Sequence, residues 1–303
     1  MRFKLVNVEK EKTICAVVVT YNRKQLLQEC LDALRKNKDV SAIVVVNNNS
    51  TDGTKEYLDS LDKNFYIIKN STKNLGGAGG FSVGMKVAYT KTNADYFWIM
   101  DDDTIPTETA GKELIEKARL LDDNFGFLCS NVRWTDSTAC NIPMTTKKWP
   151  ELAQEGLVGV SQGTFVSVLV SRNTVKKYGV PTKELFIWGD DTEYTVRITQ
   201  DLPSYFVSSS LVMHKTKNNL ANVTIKNDSV NRINRYFYLY RNLIYINKKY
   251  KSKKSTVKLF IYYLIFALRV LISSQNKKWK RFSVIIKGIF TGISFDPAIE
   301  YIK

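Results

Sequence analysis

A chain of 303 residues, 44% of them hydrophobic, has material for one large α/β domain with a smaller appendage or for two modest domains. Its net charge of +16 is not spread evenly: Met1 to His214 carries 26 Lys and Arg against 26 Asp and Glu, and Lys215 to Lys303 carries 19 against 3. A neutral body with a basic tail follows, and such a tail suits nucleic acid, an anionic membrane or a merely solvated face. The four cysteines, Cys15, Cys30, Cys129 and Cys140, show no CxxC spacing, which argues against zinc and suits reduced thiols in the cytosol. Charges in MRFKLVNVEKEK interrupt the apolar stretch that a signal peptide needs.

In chain order, Ile14 to Val19 is an apolar run closed by Thr20-Tyr21-Asn22-Arg23. Leu26, Leu27, Cys30, Leu31 and Leu34 then recur at helical spacing, so the pattern predicts strand, loop, helix. Ala42 to Val46 is a second strand running into Asn47-Asn48-Asn49-Ser50-Thr51-Asp52-Gly53, whose polar side chains can cap the next helix. Phe65 to Ile68 is a third strand, Val83 to Tyr89 a helix after the glycines at Gly76 to Gly80, and Tyr96 to Met100 a fourth strand. This alternation implies an α/β, Rossmann-like, mostly parallel sheet, with ligands at the carboxyl ends of its strands. Further on, Gly126 to Val132, Thr164 to Val170 and Tyr205 to Met213 read as strands and Thr192 to Thr199 as a helix. From Val230 a three- and four-residue periodicity (Ile233, Phe237, Tyr240, Ile244) predicts a helical tail. The expected division is a catalytic domain over 1–228 and a helical, basic C-terminal segment over 229–303. The apolar run Leu259 to Leu268 is too short for a bilayer core of about 20 residues, so it is expected to lie in a membrane interface or to pack on the body.

Trp98-Ile99-Met100-Asp101-Asp102-Asp103 carries the strongest chemical signal. Clustered carboxylates after a buried strand raise one another's pKa unless a cation neutralises them. Mg²⁺ or Mn²⁺, shared with substrate phosphates, resolves that conflict. Alternate residues of an extended segment point the same way, so Asp101 and Asp103 can face one ion; the bland reading is an acidic helix cap. A second acidic pair stands in Trp188-Gly189-Asp190-Asp191-Thr192-Glu193-Tyr194, where a carboxylate either favours the helix N-terminus or acts as a general base toward an acceptor hydroxyl. His214, the one histidine of the chain, is either structural or a metal ligand. The glycines of Asn74 to Phe81 form either a flexible turn or a backbone approach to phosphate or sugar. Trp134, Trp149 and Trp188 are expected in the core before any sugar platform.

Together these segments, over about residues 13 to 214, resemble the family 2 inverting glycosyltransferases of GT-A fold, and among them the bacterial galactofuranosyltransferases. The resemblance implies UDP-galactofuranose as donor, a cell-surface glycan or its lipid-linked precursor as acceptor, and Mn²⁺ or Mg²⁺ as cofactor. Rhamnosyltransferases using dTDP-rhamnose are the alternative; they often carry Gln where this chain has Asp102. Carried over, Thr20, Tyr21, Asn22, Arg23, Asn47, Asn49, Gly76, Gly77 and Asp102 would bind the donor, although many relatives have Asp at the position of Asn47. Asp101, Asp103 and His214 would hold the metal, Asp191 would be the catalytic base, and Trp188, Asp190 and Glu193 would position acceptor or sugar. The resulting picture is a cytoplasmic enzyme, peripheral on the inner face of the cell membrane, with no nucleic-acid partner and with tail helices able to join two copies. A basic nucleic-acid-binding protein is the reading from another class, and it leaves both acidic clusters unused. A peripheral scaffold with a degenerate transferase fold is the third.

Overall fold

The computed structural model describes residues 11–216, 223–274 and 276–302, so the expectation about the first ten residues lies outside the described residues. Strand β1 (Ile14–Thr20) is buried along its whole length. Its side chains alternate between two cores: Ile14, Ala16 and Val18 point to one face of the sheet, and Cys15, Val17 and Val19 to the other. A strand buried on both faces needs an unbroken apolar run, which is how it reads in the sequence. Helix α1 (Lys24–Lys36) buries Leu27, Cys30, Leu31 and Leu34. Strand β2 (Val40–Asn47), helix α2 (Thr54–Asp59), strand β3 (Tyr66–Asn70), helix α3 (Gly76–Lys91) and strand β4 (Tyr96–Asp101) complete the first half. Asp52 accepts the Thr54 N–H at 3.2 Å, as expected of a residue at that helix start.

β3, β2, β1 and β4 run parallel, with Thr20 opposite Asn47 and Val19 opposite Asp101. The register therefore brings the loops after β1, β2 and β4 to one edge of the sheet. The sheet then continues with mixed polarity. After β5 (Thr104–Pro106), helix α4 (Ala110–Leu120), β6 (Leu128–Trp134), β7 (Met144–Thr145), β8 (Leu157–Gln162), β9 (Val168–Ser171), helix α5 (Arg172–Tyr178), helix α6 (Asp190–Thr199) and β10 (Ser204–His214), the strand order is β3-β2-β1-β4-β9-β6-β10-β8-β7. β9 lies antiparallel between β4 and β6, and β5 pairs antiparallel with the end of β10. Thr164 to Val166 do not extend β9, because the chain turns there, with the Ser167 N–H donating to the Thr164 carbonyl at 3.2 Å.

The four glycines within 76 to 80 are not a turn ahead of a helix; with Ala78 they are its first five residues. A Cβ on Gly80 would stand 2.5 Å from Val19 Cγ1, and one on Gly84 2.6 Å from Val17 Cγ1, so α3 lies on β1 at a distance only glycine permits. Gly84→Ala is expected to cost about 1–3 kcal/mol through overpacking, read as a lower denaturation midpoint at unchanged slope.

The tail is helical, as its periodicity predicts: α7 (Tyr236–Tyr250), α8 (Lys253–Ser273) and α9 (Lys278–Ser294) pack around Tyr240, Ile244, Ala267, Val270, Ile285 and Ile289. α8 is 21 residues long, with a mean hydropathy of 1.8 over its best 18-residue window, so by length and composition it is able to cross a bilayer. The ten-residue run understated this helix because Lys258 and Arg269, which bracket the run, are themselves helical.

Candidate active site

A cavity of about 750 Å³ opens at the carboxyl ends of β1 and β4, between the acidic triplet and the start of α6. Asp101 ends β4, and β5 begins at Thr104, so the triplet is a strand-to-strand turn and not a helix cap. β5 carries Asp103 to the end of β10, where the Lys215 N–H donates to the Asp103 carbonyl at 2.8 Å. That pairing is why His214, 111 residues away in sequence, sets its Nε2 at 3.1 Å from Asp103 Oδ1. Its Nδ1 lies 2.9 Å from Asn141 Oδ1, which favours Nδ1 as the protonated nitrogen and leaves Nε2 as the ligand atom. Nothing at Asn141 in the sequence signals this, since its partner is reached only through the fold.

Asp101, Asp103 and His214 each present one ligand atom, all within 4.8 Å of one another. Two carboxylates and an imidazole suit Mn²⁺ or Mg²⁺; donors about 2.1 Å from one ion stand up to about 4.2 Å apart, so the cluster needs only a small contraction. The electrostatics agree. Burial first, and then repulsion from Asp103, hold Asp101 well above the usual carboxylate range. Burial pushes Asp103 the same way, but the hydrogen bond and charge of His214, with Arg23, bring it below its ordinary value. Burial lowers His214, yet the hydrogen bond and charge of Asp103 raise it overall. A cation is what lets all three be ligands at once.

Asp102 points elsewhere. It accepts from Thr20 Oγ1 at 2.7 Å and from Arg23 Nη1 at 3.1 Å, and burial pushes it up to about 6 against the pull of Arg23. Arg23 also reaches Asp103 at 2.6 Å and lines the cavity. Of the residues expected to bind the donor, Arg23 and Gly77 line this cavity, and Asp102, Thr20 and Asn47 are buried behind it. Asn47 bridges Asn70 and the Ser50 N–H at 2.9 Å each, and Asn22 accepts the Thr51 N–H at 2.7 Å, so both shape the loops. Tyr21 and Asn49 are exposed at the rim of the sheet. Gly76 is not among the residues lining the cavity: at φ 71° it packs on the Phe186 carbonyl, where a Cβ would stand 2.0 Å from the oxygen.

Across the cavity, Phe186 (φ 65°), Trp188 (φ 60°) and Gly189 (φ 95°) form a tight left-handed turn into α6. Such backbone persists only where surroundings hold it. The holding group is in the tail: Asn242 Nδ2 donates to the carbonyls of Leu185, Ile187 and Trp188 at 3.0, 3.2 and 2.7 Å. Trp134 lines the cavity, which corrects its expected core role; Trp188 packs on the tail core, as expected, and lines the cavity as well, while Trp149 is exposed and does not line it. Tyr236 packs edge-on against Trp188 and Arg232 lies over its ring, so the tail supplies a wall of the site together with Arg235 and Leu239.

Asp190 and Asp191 both face the cavity. Burial, then the charge of Asp191, pushes Asp190 up to about 8. Burial also raises Asp191, while the Thr192 N–H at 2.6 Å and its hydroxyl favour the charged form. Asp190 is thus held protonated near neutrality, while the Thr192 donors favour the charged form at Asp191. Glu193 does not join them. Two residues on, it points about 200° round the helix and is fully buried, accepting from Thr182, Arg197 and Tyr250 at 3.0, 2.8 and 2.5 Å. This corrects its expected role with acceptor or sugar: it anchors α6 to α7. Glu193→Ala is expected to cost about 3–5 kcal/mol by leaving Arg197 buried without a counter-charge, measured by chemical denaturation. The cysteines are free thiols, three of them buried; Cys140 packs half-buried against the core and also borders the cavity.

Residues 15–148 match the model of Glycosyl transferase family 2. Over that stretch, a little under half of the chain, the protein is similar to the family 2 glycosyltransferases. It is similar to galactofuranosyltransferase GlfT1 of Mycolicibacterium smegmatis, at 28% identity over 62% of this chain and 66% of the relative. GlfT1 of Mycobacterium tuberculosis is 29% identical over 62% and 64%, so the match spans just under two thirds of these relatives' length. Abequosyltransferase RfbV of Salmonella typhimurium is 34% identical over 28% of this chain and 26% of its own. Among solved structures, GalNAc-T7 with UDP, GalNAc and Mn²⁺ superposes with a TM-score of 0.65 at 15% identity, covering 94% of this chain and 56% of that one. S. aureus TarS 1–349 with UDP gives 0.56 at 12%, covering 93% and 91%. At those identities the likeness speaks for the fold, which is GT-A.

Proposed function

We propose that the protein is an inverting glycosyltransferase that moves galactofuranose from UDP-galactofuranose to a hydroxyl of a cell-surface glycan or its lipid-linked precursor. One observation carries the chemistry: a cluster of three groups able to ligate a metal and a half-buried, ionisable Asp191 line the same cavity. Asp191 removes the proton of the acceptor hydroxyl as its oxygen bonds to the anomeric carbon, and the bond from that carbon to the diphosphate breaks with its electron pair leaving on UDP. Asp101, Asp103 and His214 would hold Mn²⁺ or Mg²⁺, which neutralises the departing diphosphate. Arg23, paired with Asp103 from the cavity side, is a second cation within reach of phosphate. Protonated Asp190 donates a hydrogen bond to sugar or acceptor, and Trp188 offers an aromatic wall. Tyr21 and Asn49 meet the uridine at the sheet edge.

The support for galactofuranose is the likeness to GlfT1. Asp102, the position that separates the galactofuranose and rhamnose patterns, is occupied with Thr20 and Arg23. A donor panel including dTDP-rhamnose therefore decides between them. A thermal-shift screen of UDP, dTDP and GDP with and without Mn²⁺ tests the core of the reading: stabilisation by UDP that requires Mn²⁺ is expected, and no shift with any nucleotide would remove the enzyme from consideration. The helical segment from residue 229 onward is proposed to serve both as a wall of the site and as the part that meets the inner face of the cell membrane; pairing of two copies is the competing use of the same helices.

A further inference from the structure

The tail carries an unpartnered apolar face. On α8, Val257, Ile261, Ile265, Leu268 and Ile272 follow one another at steps of four, four, three and four, and between 47% and 80% of each is exposed. On α9, Trp279, Phe290 and Ile293 are exposed to 75%, 54% and 49%. Phe260 of α8 meets Phe290 of α9 edge-on at 5.3 Å, so the two stripes adjoin in one surface. Exposed apolar patches of this extent mark a surface made to be covered.

What covers it is indicated by charge. No Asp or Glu stands between Asp228 and Asp296, against fifteen Lys and Arg. Lys254, Lys258 and Arg269 run beside the α8 stripe at helical spacing, and Lys277, Lys278 and Lys280 open α9. None of these six has a carboxylate partner among the described residues. Apolar side chains beside unpaired cations are the composition of a helix lying in the headgroup layer of an anionic bilayer.

We infer that the outer face of α8 and α9 is a docking surface for an anionic lipid bilayer, entered in plane. α8, about 31 Å long at ~1.5 Å per residue, would match a hydrocarbon core of roughly 30 Å. Crossing it, however, would require α8 to leave the bundle and strip the cover from Tyr240, Ile285 and Ile289, with which its own Ala267 and Val270 are buried. In plane, the bundle stays whole and only the lysine-flanked face enters. α7, between this face and the cavity, lends Tyr236 and Leu239 to the cavity wall, so docking sets the site close to the headgroups. The inference rests on the membrane placement proposed above and not on the transfer chemistry.

Flotation of the full chain with vesicles tests it, using phosphatidylcholine alone and phosphatidylcholine mixed with phosphatidylglycerol. Binding to the mixed vesicles alone, weakening as salt rises, is expected. Ile265→Asp with Leu268→Asp should abolish it, and Lys254→Glu with Lys258→Glu should weaken it more than about tenfold, both with the Mn²⁺-dependent UDP shift intact. The lysine pair is fully at the surface, so it keeps the test decisive if the apolar pair misfolds. Equal binding to both vesicle types, or binding indifferent to the lysine pair, overturns the anionic surface. Resistance of the bound chain to carbonate extraction overturns in-plane docking in favour of a span, and a dimer in solution that either double substitution splits assigns the face to a second copy. Loss of the UDP shift in the unaltered chain strikes the transferase reading and leaves this one standing.

Discussion

Replacing Asp191 with Asn is expected to lower sugar transfer by about 10²–10⁴-fold, the usual contribution of a general base, while UDP and Mn²⁺ still bind. Asn keeps the shape and can still accept the Thr192 N–H that fixes Asp191 at 2.6 Å, but it cannot take a proton. Asp190 is a poor substitute, since burial, the largest cause of its raised pKa, stays in the variant although the charge of Asp191 does not. A pH signature separates this from a merely structural loss. The base works ionised, so kcat/KM rises as pH climbs through its folded pKa. Burial raises that pKa above 3.8, so the acid limb should lie above the range of an ordinary aspartate. In Asp191→Asn the residual rate should lose that limb. Wild-type turnover in this variant would take Asp191 out of the chemistry.

Asp103→Ala should weaken UDP binding in the presence of Mn²⁺ by more than about 100-fold, since even loss of a supporting group beside a metal site costs 10–100-fold. Asp103 links three features of the site: it faces His214 at 3.1 Å, it pairs with Arg23 at 2.6 Å, and it shares the ligand cluster with Asp101. Without it Asp101 and His214 remain as two ligands, and Arg23 keeps only Asp102. Calorimetric titration of UDP with and without Mn²⁺ reads the effect directly. The difference between the two conditions should vanish in the variant; if it persists undiminished, the metal is held elsewhere.

How much of this was legible beforehand differs from residue to residue. The strands at 14–20, 40–47 and 96–101 were visible because a strand buried on both faces reads as an apolar run, and that is a local property; the edge strand at 66–70, only partly buried, showed as a shorter apolar run. Asp101 and Asp103 were expected together from alternation along an extended segment; they do share the cluster, but through a turn and the pairing of β5 with β10. Asn141 was invisible, for its only signal is the position of a histidine brought near by β5 and β10. Glu193 was misassigned because proximity to Asp190 and Asp191 in sequence says nothing of the turn of the helix, which sends it into Arg197 and Tyr250. The glycines from Gly76 to Gly80 looked like a loop because their reason lies in other segments, at the Phe186 carbonyl and the Val19 side chain.

The sequence by itself determined the local alternation of strand and helix, the carboxylates at a strand end and the basic, helical tail, all of which depend on neighbours within a few residues. Tertiary structure alone decided which acids share a cavity, that Asn242 of the tail clamps the turn before α6, and that one face of the tail is left bare. Those outcomes depend on groups far apart in the chain being held at fixed distances, and only the packed sheet with its covering helices supplies that constraint.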